Sequence, residues 1–309
     1  MRIVISGASG SLGRALAASL VRDGHEVVAL TRTPGRAPIR GAIEVGWDPA
    51  DVPAWAHVLE SDDEVAVVNL AGKPVDCRPT EHNIRELRDS RVHATHALVA
   101  ASERRSRPVD RWVQASTTAI YGDTGDELIT ERTPDPEQGL PQMTGIVLPW
   151  EQASRSANAA HLVTLRTSIV LDRRTPALDR LLLPARLGFG GPIAGGRQWF
   201  SWIHVADWLR IARAALGLDP QLTLPDAPVI AASPHPVRNA ELMQLLRQAV
   251  GMPIGLPTPE FVLRLASIGL RTDPLLALTG RHTTSAVLAD RGFAFRHPTL
   301  GSALDDLLG

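Results

Sequence analysis

Cysteine, lysine and tyrosine are almost absent from this chain of 309 residues. Cys77 is the single cysteine, so an intrachain disulfide is excluded and the chain suits a reducing compartment. Lys73 is the single lysine and Tyr121 the single tyrosine. Any chemistry that depends on a tyrosine or a lysine side chain therefore has one residue of each type to draw on.

An excess of either charge and a long apolar run are also absent. The net charge is −1, so a general affinity for nucleic acid is not expected. No apolar run approaches the length that spans a bilayer, and the start of the chain lacks the basic region and apolar core of a signal peptide. We therefore expect a cytoplasmic protein without a nucleic-acid or membrane partner. Its oligomeric state cannot be read from the composition.

A short apolar strand at the start of the chain leads into a glycine-rich turn and then a helix. Gly7 permits a tight exit from the strand, Gly10 lets a pyrophosphate approach the main chain, and Gly13 lets the helix pack closely. The N-terminus of that helix offers free N–H groups to phosphate. The residues expected to form this dinucleotide site are Gly7, Ser9, Gly10, Ser11, Leu12 and Gly13. The alternative is a structural strand–helix turn that holds no ligand.

Apolar segments alternate with helical ones through the first half of the chain. The clearest predicted strands span residues 26–30, 64–70, 112–115 and 162–171, and a long helix is predicted over residues 81–102. This alternation predicts an α/β fold, a Rossmann-type doubly wound parallel sheet. Ligands of such sheets bind at the carboxyl ends of the strands.

Candidate cofactor residues fall at those strand ends. Arg32 follows the second strand, where NAD-specific sites often carry an acidic residue that would repel a 2′-phosphate. A guanidinium can instead hold that phosphate through paired hydrogen bonds, so NADP(H) is favoured and NAD(H) is less favoured. The alternative is an ordinary surface arginine. Asp48 is a weaker candidate for a contact with the adenine.

Two further strand ends complete the expected cofactor site. Small residues after the central strand would let the backbone approach a ribose, and the hydroxyls that end the next strand would lie near the nicotinamide. The residues concerned are Asn69, Leu70, Ala71 and Gly72, followed by Ser116 and Thr117.

The pattern changes after residue 172. A helix predicted over residues 176–187 precedes a glycine-rich and aromatic stretch at 188–204. Further helices are predicted at 151–158, 239–250, 260–268, 285–291 and 299–308, and residues 229–232 are expected to return to the sheet. We expect an NADP-binding domain at 1–171 with a returning segment near 204–233. Residues 172–309 would form a smaller, mainly helical substrate-binding region.

Several stretches together resemble a known family. They lie at 7–13, 30–32, 68–72, 90–92, 119–122, 165–167 and 196–204. The chain resembles extended short-chain dehydrogenases/reductases, and among them an atypical subgroup of "epimerase family proteins" with a C-terminal domain of unknown function. This resemblance implies a Rossmann-type domain with NADP and a smaller substrate domain.

The superfamily's chemistry normally depends on a Tyr-x-x-x-Lys pair with a Ser or Thr. When Trp150 and Glu151 are aligned with the segment that follows that lysine, Met143 takes the tyrosine position and Val147 takes the lysine position. Tyr121 belongs to a Tyr-Gly pair that is not the usual proton donor of this superfamily. The subgroup as a whole tends to lack the pair.

Other residues could move the proton or hold the substrate. His204 is the best titratable candidate because imidazole titrates near neutrality, although a structural histidine is an equally good interpretation. Tyr121 and Glu151 are weaker candidates, and Ser116 or Thr117 would orient a carbonyl or hydroxyl. The residues that could line a pocket for a planar or anionic substrate, if they do not simply pack a domain junction, are Arg197, Trp199 and Trp202.

Other sites are not favoured. His93 and His96 lack the glutamate of a zinc motif, so no metal site is expected. Asp207 is expected to cap a helix that begins near Ala206.

Two classes of function remain open. The first is an NADP-dependent oxidoreductase or epimerase-like enzyme that acts on a small molecule through a nonstandard proton donor. The second is a non-catalytic regulatory protein that binds NADP(H). A structural interaction protein without a cofactor is disfavoured by the glycine turn and Arg32.

Overall fold

The computed structural model describes residues 1–36, 38–173 and 175–309. Its strands are β1 Arg2–Ser6, β2 Glu26–Thr31, β3 Ile43–Gly46, β4 Val65–Asn69, β5 Arg111–Thr117, β6 Leu128–Ile129, β7 Leu162–Thr167, β8 Ile169–Leu171, β9 Trp199–Phe200, β10 Trp202–His204, β11 Pro228–Ala231, β12 Val237–Arg238 and β13 His282–Thr283. Its α-helices are α1 Ser11–Arg22, α2 Val52–Trp55, α3 Glu81–Glu103, α4 Thr144–Ala153, α5 Pro176–Arg186, α6 Val205–Ala215, α7 Asn239–Ala249, α8 Glu260–Leu270, α9 Leu275–Leu278, α10 Ala286–Asp290 and α11 Leu300–Leu308. Short 3₁₀ turns lie at Ala56–Leu59 and Thr118–Tyr121.

A 7-stranded sheet in the order β11-β7-β5-β4-β1-β2-β3 organises the fold. Every neighbouring pair in it is parallel. The chain runs outward from β1 in one direction through β2 and β3, and in the other through β4 and β5. The predicted doubly wound Rossmann-type sheet is confirmed, and residues 228–231 return to it as an edge strand.

Alternating side chains of the strands build a core on each face of the sheet. Ile3 and Ile5 of β1 pack in one cluster with Leu16 of α1 and Trp208 of α6. Val4 points to the opposite face, into the cluster that contains residues of α3. Because both faces are covered, the central strands are largely apolar, and many of their polar side chains lie at the strand ends.

The reversal of strand order places a crevice between β1 and β4. The connections that leave β1 and β4 run to opposite sides of the sheet, so a gap opens at their carboxyl ends. The residues that follow β1 and β4 are Gly7 and Leu70, and those at the ends of β2 and β5 are Arg32 and Thr117. The fold thus brings these predicted cofactor residues to one edge.

The predicted strand over residues 162–171 is two strands. β7 stays in the large sheet, whereas β8 leaves it and pairs in parallel with β10. Ser168 lies between them, and both its amide and its hydroxyl donate to the Ala231 carbonyl, at 3.1 and 3.0 Å. The chain therefore changes sheet at this serine, which apolar periodicity alone does not reveal.

The helix predicted over residues 151–158 begins earlier, at Thr144, and ends at Ala153. Gly145 and Pro149 are poor helix formers, so this segment does not look helical in sequence. Packing against α3 outweighs that weak propensity. This start matters for the site, because it places Met143 at the N-cap of α4, with Val147 and Glu151 one and two turns further along the helix.

The C-terminal region is largely helical, as predicted. Helices α5, α7 and α11 enclose a separate apolar cluster around Trp202. This region joins the rest of the molecule through β13, which pairs in parallel with β6, and through β10, which pairs in parallel with β8.

Glu131 reinforces that junction. Its carboxylate accepts hydrogen bonds from the amides of Ile230 and Ala286, each at 2.8 Å, and from the hydroxyl of Ser285 at 2.5 Å. One side chain therefore ties the edge strand β11 to the start of α10.

Among the helices of the described ranges, none is both long and apolar enough to cross a bilayer.

Candidate cofactor and active site

The glycine turn is fixed by close backbone contacts at two of its three glycines. Gly7 has a φ of 72°, and a Cβ on it would lie 2.5 Å from the Leu70 carbonyl oxygen. A Cβ on Gly13 would lie 2.4 Å from the Gly7 carbonyl oxygen. Glycine is required at both positions, because a side chain would push the turn away from β4 or the helix away from the turn.

Gly10 is less constrained by the protein itself. Among the described residues, the only neighbour of a Cβ there would be the Gly7 carbonyl oxygen, 3.3 Å away. Gly10 is also the N-cap of α1, and no side chain from the described ranges caps that helix end. The first amides of α1 are thus left for an anion, which suits the pyrophosphate of a dinucleotide.

The buried side chain of Asn69 fixes the Leu70–Gly72 loop, which lies beside the glycine turn. Its side chain is fully buried and lies 2.8 Å from the hydroxyls of both Ser6 and Thr95, with Gln114 at 3.1 Å. Its Oδ1 also accepts from the Ala71 amide at 3.3 Å. With its polar atoms so engaged, Asn69 shapes the Leu70–Gly72 backbone, which lies at the carboxyl edge of β4.

Arg32 is exposed directly after β2, beside the glycine turn. Among the described residues, the Arg32 guanidinium has no hydrogen-bond or ion-pair partner. This side chain is therefore free to meet an anion outside the fold.

A buried network surrounds Arg166 at the end of β7. Arg166 donates to both oxygens of Glu151, at 2.9 and 2.8 Å, and to both oxygens of Asp135, at 2.6 and 2.9 Å. It also donates to the Tyr121 hydroxyl at 2.7 Å. Ser116 completes the network through a short hydrogen bond to Glu151.

Burial in this network disfavours the charged forms of both Arg166 and Tyr121. Burial disfavours the charged form of Arg166, but the hydrogen bonds to Glu151 and Asp135 outweigh it and hold its pKa above the usual value. Burial raises the pKa of Tyr121, and the nearby Arg166 only partly opposes this. Tyr121 is therefore held as a neutral phenol, which is poorly matched to proton exchange near neutral pH.

Thr117 differs from its neighbour Ser116 in whether its hydroxyl already donates a hydrogen bond within the protein. Its hydroxyl oxygen accepts from the Ala119 amide at 3.2 Å, and its side chain is only partly buried. No acceptor for its O–H is recorded among the described residues. Ser116 is committed to Glu151, whereas Thr117 can still donate to a ligand at the carboxyl edge of β5.

The positions of the missing Tyr-x-x-x-Lys pair are filled by apolar side chains. Met143 and Val147 are each 3% exposed. Arg281, from the C-terminal region, donates from Nη2 to Met143 Sδ at 2.9 Å, and its buried Nε has no hydrogen-bond partner in the described structure. Burial lowers the pKa of Arg281 to about 10, which leaves it charged at neutral pH.

His204 lies at the N-terminus of α6. Its Nδ1 accepts the Ala206 amide at 3.1 Å and so caps α6, while Nε2 lies 3.2 Å from Asp306 and the ring stands against His297. A backbone amide can only donate, so the proton of neutral His204 is on Nε2. The interactions recorded for His204 thus engage helix ends, not the Ser116 and Glu151 network.

The same tautomer argues against a metal at this place. Single ligand atoms of His204, His297 and Asp306 lie within 4.8 Å of one another. Binding of a metal through Nε2 would need the proton on Nδ1, where the Ala206 amide already points. The trio is better described as an anchor between α6 and α11.

Asp207 does not cap α6 as predicted, because His204 does so. The Asp207 carboxylate is fully buried and accepts from the amides of Arg296 and His297, at 2.8 and 3.0 Å. An acidic residue in a first turn resembles a cap in sequence, but here it holds the distant segment that carries His297.

His204 gives the fold a dependence on pH. Burial lowers its pKa, and the neighbouring His297 adds to this, while Asp306 and Asp207 oppose it. The unfolded chain then takes up a proton near pH 6.5 that the folded chain refuses, so stability should fall as the pH drops below 6.5. His204→Asn keeps a capping oxygen and removes the titration, so it should flatten the dependence of the unfolding free energy between pH 7 and pH 5.

Denaturant titrations at several pH values would measure this effect. His235→Asn is the matched control, because that histidine is exposed. A slope unchanged by His204→Asn, or equally changed by His235→Asn, would show that His204 is not the responsible group.

The predicted substrate-pocket residues are not brought together in one open wall. Trp202 is fully buried in the C-terminal core and donates to the His235 carbonyl at 3.2 Å. Trp199 stacks on His282 with ring centroids 3.8 Å apart and lies under the Arg238 guanidinium. Arg197 is exposed. Trp199 and Arg197 remain open to solvent, and Trp202 packs the core.

Three residues of this site had no assigned role in sequence. Arg166, Asp135 and Arg281 each meet their partners from far along the chain. The stretch that contains Arg166 was recognisable only as part of a family resemblance. No spacing rule marks Asp135 or Arg281.

Comparisons with known proteins identify the family to which this fold belongs. Residues 3–222 match the family described as NAD dependent epimerase/dehydratase, and residues 258–307 match a domain of unknown function, DUF1731. The mouse epimerase family protein SDR39U1 is 30% identical over 100% of both chains. An epimerase family protein of Mycobacterium bovis is 33% identical over 98% of this chain and 96% of its own.

A solved structure is similar over the whole chain. Human epimerase family protein SDR39U1, crystallised with NADPH, superposes with a TM-score of 0.82 at 29% identity, over 100% of this chain and 99% of that one. The matched family covers most of the seven-stranded sheet and its glycine turn. The chain therefore belongs to the NAD dependent epimerase/dehydratase family.

Proposed function

We propose that this protein is an NADP(H)-dependent oxidoreductase or epimerase-like enzyme that acts on a small molecule without a Tyr-x-x-x-Lys pair. The observation that carries the proposal is the convergence of the glycine turn, Arg32 and Thr117 on one edge of the sheet. The human relative that was crystallised with NADPH supports the same cofactor.

The residues present fit a dinucleotide. Gly7 and Gly13 leave no room for a Cβ, and the uncapped start of α1 offers amides to a pyrophosphate. Arg32 would hold a 2′-phosphate, and the Leu70–Gly72 backbone would lie along a ribose. These features favour NADP(H), with NAD(H) the weaker ligand.

The residues at the end of β5 would orient the substrate. Thr117 would donate its hydroxyl hydrogen to a carbonyl or alkoxide oxygen, because its own oxygen is already fixed by Ala119. Ser116, Glu151 and Arg166 would hold that strand end rigid through the buried network. The cofactor, when bound, supplies or accepts a hydride.

Arg281 would supply charge where the tyrosine usually stands. Its guanidinium carries an unpartnered Nε beside Met143, so it could stabilise negative charge on a substrate oxygen. An arginine with a pKa of about 10 donates hydrogen bonds well but is not a neutral-pH proton donor. The proton would then come from solvent or from the substrate's own groups.

A second candidate function is a regulatory protein that binds NADP(H) without turnover. The apolar filling of the Tyr and Lys positions by Met143 and Val147 favours it. Both functions share the cofactor, so they differ in whether bound NADP(H) exchanges a hydride with a substrate.

Turnover distinguishes the two functions. NADPH binding by the wild type would be titrated first, and absorbance at the NADPH band would then be followed across a broad panel of carbonyl compounds. For any substrate found, Thr117→Val should lower turnover by about 10²-fold while leaving NADPH affinity unchanged, because it removes one oriented donor.

Thr223→Val is the control, since Thr223 is exposed. Tight NADPH binding with no turnover across the panel would favour the regulatory function. Undiminished turnover in Thr117→Val would remove Thr117 from the site.

A further inference from the structure

Arg91 is a cation of α3 that the proposed chemistry has not yet used. Its Nη1 donates to the Leu87 carbonyl at 2.8 Å and its Nη2 to the Lys73 carbonyl at 2.9 Å. A guanidinium has five N–H donors, so three remain. In the described ranges no carboxylate lies within ion-pair distance of Arg91, and no partner of its Nε is recorded.

Arg91 lies beside the loop that follows β4. A Cβ on Gly72 would be 3.0 Å from Arg91 Cζ, so the absence of a side chain at Gly72 makes room for the guanidinium. The same loop, Leu70–Gly72, faces the crevice between β1 and β4. The charge of Arg91 is thus placed at the ligand edge of the sheet by a glycine of the cofactor loop.

Arg91 also lies against α4, the helix that lacks the lysine. Its Cζ is 5.2 Å from the centroid of the Trp150 ring, a distance at which a cation is attracted to an aromatic face. Trp150 follows Val147, the lysine position, by one helical turn. Lys73 cannot serve instead, because its ammonium is paired with Glu86.

The location of Arg91 along the sheet edge determines which half of a bound dinucleotide it would contact. Arg32 lies after β2, on the adenine side of the crevice, whereas Arg91 contacts the loop after β4, on the side toward β5 and Thr117. Burial lowers the pKa of Arg91 to about 10, and it remains charged at neutral pH. The Arg91 side chain is partly buried, and a partly buried charge without a counter-charge is costly unless a ligand supplies one.

We propose that Arg91 replaces the missing lysine as the cation that binds the ribose and phosphate of the nicotinamide half of the cofactor. This inference rests on the proposed NADP(H) function. Its paired N–H groups suit vicinal ribose hydroxyls or a phosphate oxygen, while the carbonyls of Leu87 and Lys73 fix its orientation.

Fragments of the cofactor test the assignment. NADPH, nicotinamide mononucleotide and adenosine 2′,5′-bisphosphate would be titrated against the wild type, Arg91→Met and Arg91→Lys. Arg91→Met should weaken NADPH and nicotinamide mononucleotide at least 10-fold and leave adenosine 2′,5′-bisphosphate unchanged. Arg91→Lys should recover part of the loss, because it restores the charge without the fork.

Failure of the inference is separable from failure of the proposed function. Wild-type protein that does not bind NADPH would overturn the function itself. Wild-type protein that binds NADPH, with Arg91→Met binding all three probes equally well or losing all three alike, would overturn only the role of Arg91.

A measurement on the wild type covers the case in which Arg91→Met does not fold. Phenylglyoxal modifies accessible arginines, and the modified sites can be mapped by mass spectrometry. Nicotinamide mononucleotide should protect Arg91 while adenosine 2′,5′-bisphosphate should not. Equal protection by both probes, or by neither, would contradict the proposal.

Discussion

Arg166→Met is expected to destabilise the protein by about 3–5 kcal/mol, because it leaves a buried carboxylate without its partner. Glu151 and Arg166 are only 7% and 3% exposed at their side chains, so water cannot replace the lost hydrogen bonds. Chemical denaturation of purified protein would measure the change in unfolding free energy. A fall in melting temperature of roughly 6–10 °C should accompany it.

Two controls define the origin of this loss. Arg132→Met breaks the ion pair with Asp290, whose side chains are 73% and 59% exposed, and should cost about 0–1 kcal/mol. Combining Arg166→Met with Glu151→Leu removes both buried charges and should regain part of the stability. If Arg166→Met cost no more than Arg132→Met, the network would not be a stabilising unit.

Arg32→Ala is expected to weaken NADPH binding by about 10–100-fold and to leave NADH binding unchanged. A charge-assisted hydrogen bond to a phosphate contributes about 1.5–3 kcal/mol, and only NADPH carries the 2′-phosphate. Titration of each cofactor against wild type and variant would give the two affinities. The selectivity for NADPH should therefore disappear in the variant.

Arg22→Ala serves as the matched control, since Arg22 is an exposed arginine at the opposite end of α1. It should leave both affinities unchanged. Equally weak binding of NADPH and NADH by the wild type, unaffected by Arg32→Ala, would contradict the preference for NADP(H).

The sheet and its ligand edge could be predicted because their signals are local. Apolar runs ended by Asn69 and by Ser116 mark buried parallel strands, and the Gly7–Gly13 spacing marks a strand–turn–helix. Parallel strands bring their carboxyl ends together by topology alone. Arg32, Gly7 and Thr117 could thus be grouped without knowledge of any contact between them.

The network around Arg166 could not be predicted in the same way. Tyr121, Asp135 and Glu151 reach Arg166 from 45, 31 and 15 residues away, and no periodicity links them. His204 shows the opposite problem. Its residue type suggests proton transfer, but its tautomer and its role at the end of α6 depend on an amide and on Asp306, which only the fold identifies.

Trp202 illustrates a third limit. A tryptophan in a glycine-rich stretch is compatible with an open pocket or with a packed junction, and composition cannot separate the two. The three-dimensional arrangement of α5, α7 and α11 encloses it.

The carboxylate of Glu131 connects the two regions of the chain that different sequence families match. It accepts hydrogen bonds both from the edge strand of the large sheet and from the beginning of a helix in the region matched as DUF1731. Glu131 and β6 lie in the region matched by the other family. Loss of the C-terminal region would remove hydrogen-bond donors from Glu131 and the pairing strand β13 from β6. We therefore expect the two regions recognised separately by sequence families to unfold together, because each supplies hydrogen-bond partners to the other.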